Sequence, residues 1–140
     1  MDRRIYYLLP KCDNIMNIYL KQELVRAGYR VTPAQLGLLF LLNDRDGQTM
    51  TELSRQMGID KSGITRTVDN LVKSGHVERK SSPGDRREYR IAITGTGIEA
   101  VKEITRHIAD INKKISGVLS QDELDALNSG LLKLCGLFRP

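Results

Sequence analysis

The sequence predicts a mainly α-helical chain with a small β-wing. A winged helix-turn-helix lobe is expected over residues 32–94, and helices in 1–30 and 95–140 form a dimerisation region within one 140-residue domain. Three observations carry this expectation. Apolar residues recur at helical spacing in both flanking segments. Residues 49–94 give, in order, a capped helix, a tight turn, a second capped helix and a hairpin. The basic surplus is concentrated in the last part of that run, where residues 60–90 hold eight Lys/Arg against five Asp/Glu.

Composition sets the outer limits. At 140 residues the chain is long enough for one core of ordinary size. Its 22 Lys+Arg against 17 Asp+Glu leave a net charge of +5, which favours an anionic partner. No apolar run approaches the ~20 residues that span a bilayer. The opening MDRRIYYLLPKCDN has neither the long apolar stretch nor the small-residue cleavage site of a signal peptide. A cytoplasmic protein with no membrane partner is expected. Cys12 and Cys135, with His76 and His107, are too few and too scattered for a disulfide framework or a metal site.

The first helix is expected between Ile5 and Tyr29, from Ile5, Leu8, Leu9, Cys12, Ile15, Met16, Tyr19 and Val25. Pro10 should kink it or mark its effective start, and Gly28 its end. Thr32-Pro33 is an N-cap followed by proline at the first helical position, and the apolar run that follows reads as a buried helix. Asn43 to Gly47 is turn chemistry. Thr49 and Glu52 stand at capping-box spacing, with Thr51 a competing cap, and Gly58 stops that helix. Asp60 caps the next, from Lys61 to about Ser74, whose Ile64, Val68, Leu71 and Val72 face inward. Val77–Ser81 and Arg87–Ile93 are expected strands around a turn at 82–86. Finally, Val101, Ile104, Ile108, Ile111, Ile115 and Val118 alternate at three and four residues. After the capping box of Ser120 and Glu123, Leu124, Leu127, Leu131, Leu134 and Phe138 repeat that seam.

The second capped helix carries the chemistry. With its apolar row buried, Lys61, Ser62, Thr65, Arg66 and Asn70 are left outside, a set able to read base edges in a major groove. The hairpin puts Arg86 and Arg87 on a ribbon tip that can enter a narrow, negative minor groove. Double-stranded DNA is the expected partner. The rival from a different class is a winged-helix protein-interaction module without specific DNA binding, because fold does not dictate function. No phosphate loop, nucleophile elbow or HExxH motif is present, so neither an enzyme nor a cofactor is expected. His76, at a helix end, reads as a satisfied polar group.

Val31-Thr32-Pro33, Glu52-Leu53, Ile59-Asp60-Lys61-Ser62, Thr65-Arg66, Val68-Asp69-Asn70-Leu71, Gly75, Arg79, Asp85-Arg86-Arg87 and Ile93-Thr94 together resemble the MarR family of bacterial transcriptional regulators. The resemblance runs along essentially the whole chain. It implies a homodimer, with the first, fifth and sixth helices intertwined and two lobes on a pseudo-palindromic operator, most simply as a repressor. It also implies that Asp85 braces Arg87 for the minor groove and that Arg86 contacts phosphate. Gly97 matches the family's small residue, whereas Gln48-Thr49-Met50 matches its short first strand weakly.

A dimer is expected from the seams as well, through Ile15, Val101, Ile104, Ile108, Ile111, Ile115, Leu127, Leu131, Leu134 and Phe138. The alternative is that the helices bury these residues within one protomer. Cys12 and Cys135 are a candidate redox pair, as in the hydroperoxide-sensing branch of the family, or else two small apolar core residues. The resemblance further suggests an unidentified small aromatic ligand, for which Tyr6, Tyr7, Tyr19, Tyr29 and Arg26 qualify by residue type only.

Overall fold

The computed structural model describes residues 4–139, without the side chains of Asp85 and Arg86. Its elements are α1 (Arg4–Arg26), α2 (Pro33–Asp44), β1 (Gln48–Thr49), α3 (Met50–Met57), α4 (Lys61–Lys73), β2 (Val77–Ser82), β3 (Asp85–Ile93), α5 (Gly95–Val118) and α6 (Gln121–Leu137). The chain divides into two compact units, Met1–Thr105 and Arg106–Pro140, with the boundary inside α5.

Local chemistry sets the boundaries. Helix α1 begins before Pro10 and continues through it, so the proline neither starts nor ends the helix. Gly28 closes it at φ 91°, with its N–H donating to Val25 and that of Tyr29 to Leu24. Thr32 caps α2 as expected, and Gln35 completes a capping box whose second member was not anticipated. Of the two candidate caps for α3, Thr49 is used, with Glu52 reaching back to its N–H at 2.9 Å. The hairpin is tighter than expected: β2 runs to Ser82 and β3 starts at Asp85, leaving Pro83-Gly84 as the turn.

The sheet has the order β1-β3-β2 and is antiparallel, with Gln48 opposite Ile91 and Val77 opposite Ile93. Leu38, Leu39 and Leu42 of α2, Leu53 of α3, Ile64, Val68 and Leu71 of α4, Val77, Ile91 and Val101 form one core. The alternation expected along β3 holds only in part. Ile91 and Ala92 are both buried, while Tyr89, farther toward the hairpin tip, is exposed.

Part of the expected interchain seam needs correcting. Val101 and Ile104 are 4 % and 0 % exposed, and Val101 belongs to the core of the first unit. Side chains already enclosed within the protomer have almost no surface to offer a second copy. In the second unit, Ile108, Ile111, Ile115 and Leu134 are half-buried, and Leu127, Leu131 and Phe138 are exposed.

Candidate nucleic-acid interface

Helix α4 forms because Asp60 accepts the Gly63 N–H at 2.7 Å and one row of apolar residues finds cover. A Cβ on residue 63 would lie 2.5 Å from Ile59 Cγ2 and 2.9 Å from Asp60 Oδ1, so glycine is what lets the cap close. Ile64, Thr67, Val68 and Leu71 are buried. Thr67 is the addition to the expected inner row, and its hydroxyl is satisfied by the Gly63 carbonyl at 2.9 Å.

The opposite face carries all five residues singled out from the sequence. Lys61, Ser62, Thr65, Arg66 and Asn70 are exposed, and an open hollow of about 590 Å³ runs along Lys61, Ser62, Thr65, Arg66 and Asp69. Ser62 donates to Asp60 Oδ1 at 3.1 Å and Thr65 to the Lys61 carbonyl at 2.8 Å. The Asp60 carboxyl is held below the ordinary aspartate range, first by the Gly63 N–H, then by the Ser62 hydroxyl, with the Arg66 charge adding to both.

The hairpin is fastened to this helix at its base. Asp69 of α4 forms an ion pair with Arg79 of β2. His76 and Gly75 donate to the Leu71 and Val72 carbonyls at 2.9 and 3.0 Å, which closes α4 with Gly75 at φ 76°. Thr94 then joins three elements. Its N–H donates to the His76 carbonyl at 3.0 Å, its hydroxyl donates to Gly75 at 2.6 Å, and the same oxygen accepts the Gly97 N–H at 3.1 Å. Gly97 is required at that crossing, since a Cβ would stand 2.2 Å from the His76 carbonyl oxygen. Burial holds the His76 imidazole below its ordinary range, and Ser74 Oγ lies 2.6 Å from its Nδ1. Arg87 is exposed on β3. The brace expected between Asp85 and Arg87, and the Arg86 contact, involve side chains outside the described residues.

A second set of bonds fixes β1 and was not foreseen. The buried Gln48 amide donates to the Leu41 and Arg45 carbonyls at 3.0 and 2.7 Å, so it caps the end of α2. Asp46 accepts the Ile93 N–H at 2.8 Å, and Arg90 donates to the Gly47 carbonyl at 3.0 Å. Glu52 is held below the ordinary glutamate range, first by the Thr49 N–H, then, against the opposing effect of burial, by the charges of Arg45 and Arg90. The segment 43–47 was expected only to turn; Asp46 gives it a tertiary role that composition does not signal.

The remaining candidates lie elsewhere. Cys12 and Cys135 are exposed free thiols, one in each compact unit. Lys11, beside Cys12, sits over the Tyr7 ring at 5.2 Å from its centroid. Tyr6 and Tyr7 are exposed, and Tyr19 and Tyr29 are half-buried. Among the described residues no cluster of His, Cys, Asp or Glu is arranged to hold a metal, and no helix is long and apolar enough to cross a membrane.

Comparison with known proteins adds an independent line. A sequence model described as "MarR family" matches residues 31–88. The chain is 33 % identical over 103 residues to a protein of Thauera aromatica described as a putative transcriptional regulatory protein for the hcr operon. That match covers 74 % of this chain and 61 % of the relative, so the chain spans about three fifths of that protein's length. It is 29 % identical over 136 residues to the multiple antibiotic resistance protein MarR of Escherichia coli (strain K12), covering 96 % of this chain and 90 % of that one. Its fold is similar to that of S. aureus MepR, solved as a DNA complex, with a TM-score of 0.82, 20 % identity and coverage of 99 % of each chain.

Proposed function

The chain belongs to the MarR family, and from that premise we propose that it is a DNA-binding transcriptional regulator, acting as a repressor and as a homodimer on a pseudo-palindromic operator. The observation that carries the reading is the two-sided nature of α4. One row is fully enclosed in the core, and the other presents Lys61, Ser62, Thr65, Arg66 and Asn70 to solvent beside a hairpin rich in arginine. Such a helix fits a major groove, where Arg pairs with guanine and Asn with adenine, and Arg87 on the wing is suited to the adjacent minor groove. The similarity in fold to MepR, itself solved with DNA, supports the same use of the lobe.

Support for the dimer comes from apolar surface left uncovered. Ile5, Leu8 and Ile15 in one unit, and Leu127, Leu131, Leu132 and Phe138 in the other, are large apolar side chains more than a third exposed. Water disfavours such clusters, and a second copy is the cover the family premise supplies. Two lobes related by a two-fold would present their α4 helices about 34 Å apart, one turn of duplex. Relief of repression is assigned to a small aromatic ligand or to oxidation of Cys12 and Cys135. Peroxide that releases DNA equally from wild type and Cys12→Ser would eliminate Cys12 as the oxidative sensor.

The direct test is binding to duplex DNA from upstream of the chain's own gene, titrated across salt concentrations. Log affinity should fall steeply with log salt, and Arg87→Ala should flatten that slope by about one unit. Arg66→Ala should also narrow the gap between that duplex and a scrambled one, by about 1–3 kcal/mol. Weak binding that ignores salt would favour the protein-interaction module instead.

A further inference from the structure

Two hydroxyls stand in the exposed row of α4, and both have their single proton committed. Ser62 Oγ lies 3.1 Å from Asp60 Oδ1. An ionised carboxylate only accepts, so the serine must be the donor. That carboxylate is itself fixed, by the Gly63 N–H at 2.7 Å and by the absence of a side chain at residue 63. Thr65 Oγ1 lies 2.8 Å from the Lys61 carbonyl oxygen, again an acceptor without a proton to give. Both residues are exposed. What they hold out to a partner is therefore lone pairs and, for Thr65, a methyl group.

We propose that Ser62 and Thr65 are obligate acceptors in the DNA-facing row and select base edges bearing an exocyclic amino group, adenine or cytosine, over the keto edges of guanine and thymine. This rests on the DNA-binding function proposed above and adds to it which edge each hydroxyl reads. In the major groove, adenine N6 and cytosine N4 donate at the places where guanine O6 and thymine O4 accept. A freely rotating hydroxyl serves either kind, which is why serine and threonine ordinarily discriminate poorly. Here a keto oxygen would meet a second acceptor unless the hydroxyl first gave up its partner within the chain. Lys61 and Arg66 carry donors only, so the row divides into donor positions at 61 and 66 and acceptor positions at 62 and 65.

The experiment begins with the full-length chain selecting sites from a randomised duplex library. Affinities are then measured for the enriched duplex and for versions lacking one amino group at a time, with purine in place of adenine or 2-pyrimidinone in place of cytosine. Wild type, Ser62→Ala and the isosteric Thr65→Val are compared. At one base of each half-site, deleting the amino group should weaken wild type by about tenfold and leave one of the two variants unaffected, because the bond is already absent. A purely structural role would instead weaken binding of every duplex alike. The assignment is overturned if no amino deletion separates wild type from either variant although wild type enriches a clear site. If wild type enriches no sequence at all, the DNA-binding proposal itself falls, and this one with it.

Discussion

Helices α4 and α6 carry the same kind of apolar row and meet opposite fates. In α4, Ile64, Val68 and Leu71 are between 0 and 1 % exposed. In α6, Leu127 and Leu131 are 45 and 37 % exposed, Phe138 at its C-cap is 78 % exposed, and none of the helix's residues is buried. Helical spacing by itself does not separate the two rows. What separates them is cover. The lobe supplies α2, α3, the sheet and Val101 around α4, whereas the row on α6 is left largely exposed. An apolar row thus says that a face can be covered, and not by what.

The largest effect should come from attacking that contrast directly. Leu71→Ala removes a fully enclosed side chain and should cost about 2–5 kcal/mol, the same at every protein concentration. Leu131→Arg should leave the lobe's unfolding nearly unchanged and instead shift the sedimentation coefficient toward that of a monomer. If Leu131→Arg sediments like wild type at micromolar concentration, the exposed row on α6 is not where a second copy sits.

Glycines give a second contrast, of middling size. Gly97→Ala would drive a Cβ to 2.2 Å from the His76 carbonyl, and backbone cannot yield as a side chain can; about 1–3 kcal/mol should be lost in urea unfolding. Gly130, inside α6, has nothing within 4 Å of a would-be Cβ. Gly130→Ala should therefore stabilise the helix by up to about 1 kcal/mol. A loss at Gly130 would mean that a partner packs closely there, which would sharpen the dimer proposal.

The same contrast explains what sequence could and could not convey. Caps at Thr32, Thr49, Asp60 and Ser120 were legible because they depend on residues within three positions, and the stops at Gly28, Gly58 and Gly75 because each needs a left-handed φ. The outward row of α4 followed from its inner row. Unreadable were the tertiary bonds of Asp46 to Ile93 and Asp69 to Arg79, whose separations carry no periodic signal. The Gln48 amide, which turns back onto the end of α2, is local but follows no capping pattern. Within the expected seam, Val101 and Ile104 are buried in the protomer, because a heptad does not record where one neighbour ends and another begins.

The Asp69–Arg79 pair tests whether the lobe's fastening matters to binding rather than to folding. Both side chains are about a third or more exposed, so Arg79→Met should change stability by less than about 1 kcal/mol. Its effect should appear in DNA affinity, weakened several-fold because the hairpin loses its tie to α4. Equal affinity for wild type and Arg79→Met would show that Thr94 and Gly97 hold the wing without it.

The smallest effect expected is a pH dependence confined to the lobe. His76 has its imidazole held below the ordinary range by burial, so the unfolded chain binds protons at a higher pH than the folded one. Its contribution is therefore fully present above the ordinary histidine range near 6.5 and is lost as pH falls through that range to the depressed folded value. Asp60 and Glu52 act in the same sense at lower pH, since both are held below the ordinary carboxylate range and must be protonated for their caps to fail. The urea midpoint of the lobe should fall modestly between pH 7.5 and 5 in wild type and be flatter in His76→Gln. A second drop below about pH 4 should persist in that variant. A wild-type curve that is flat from pH 7.5 to 5 would remove His76 from the account and leave acid sensitivity to the two capping carboxylates alone.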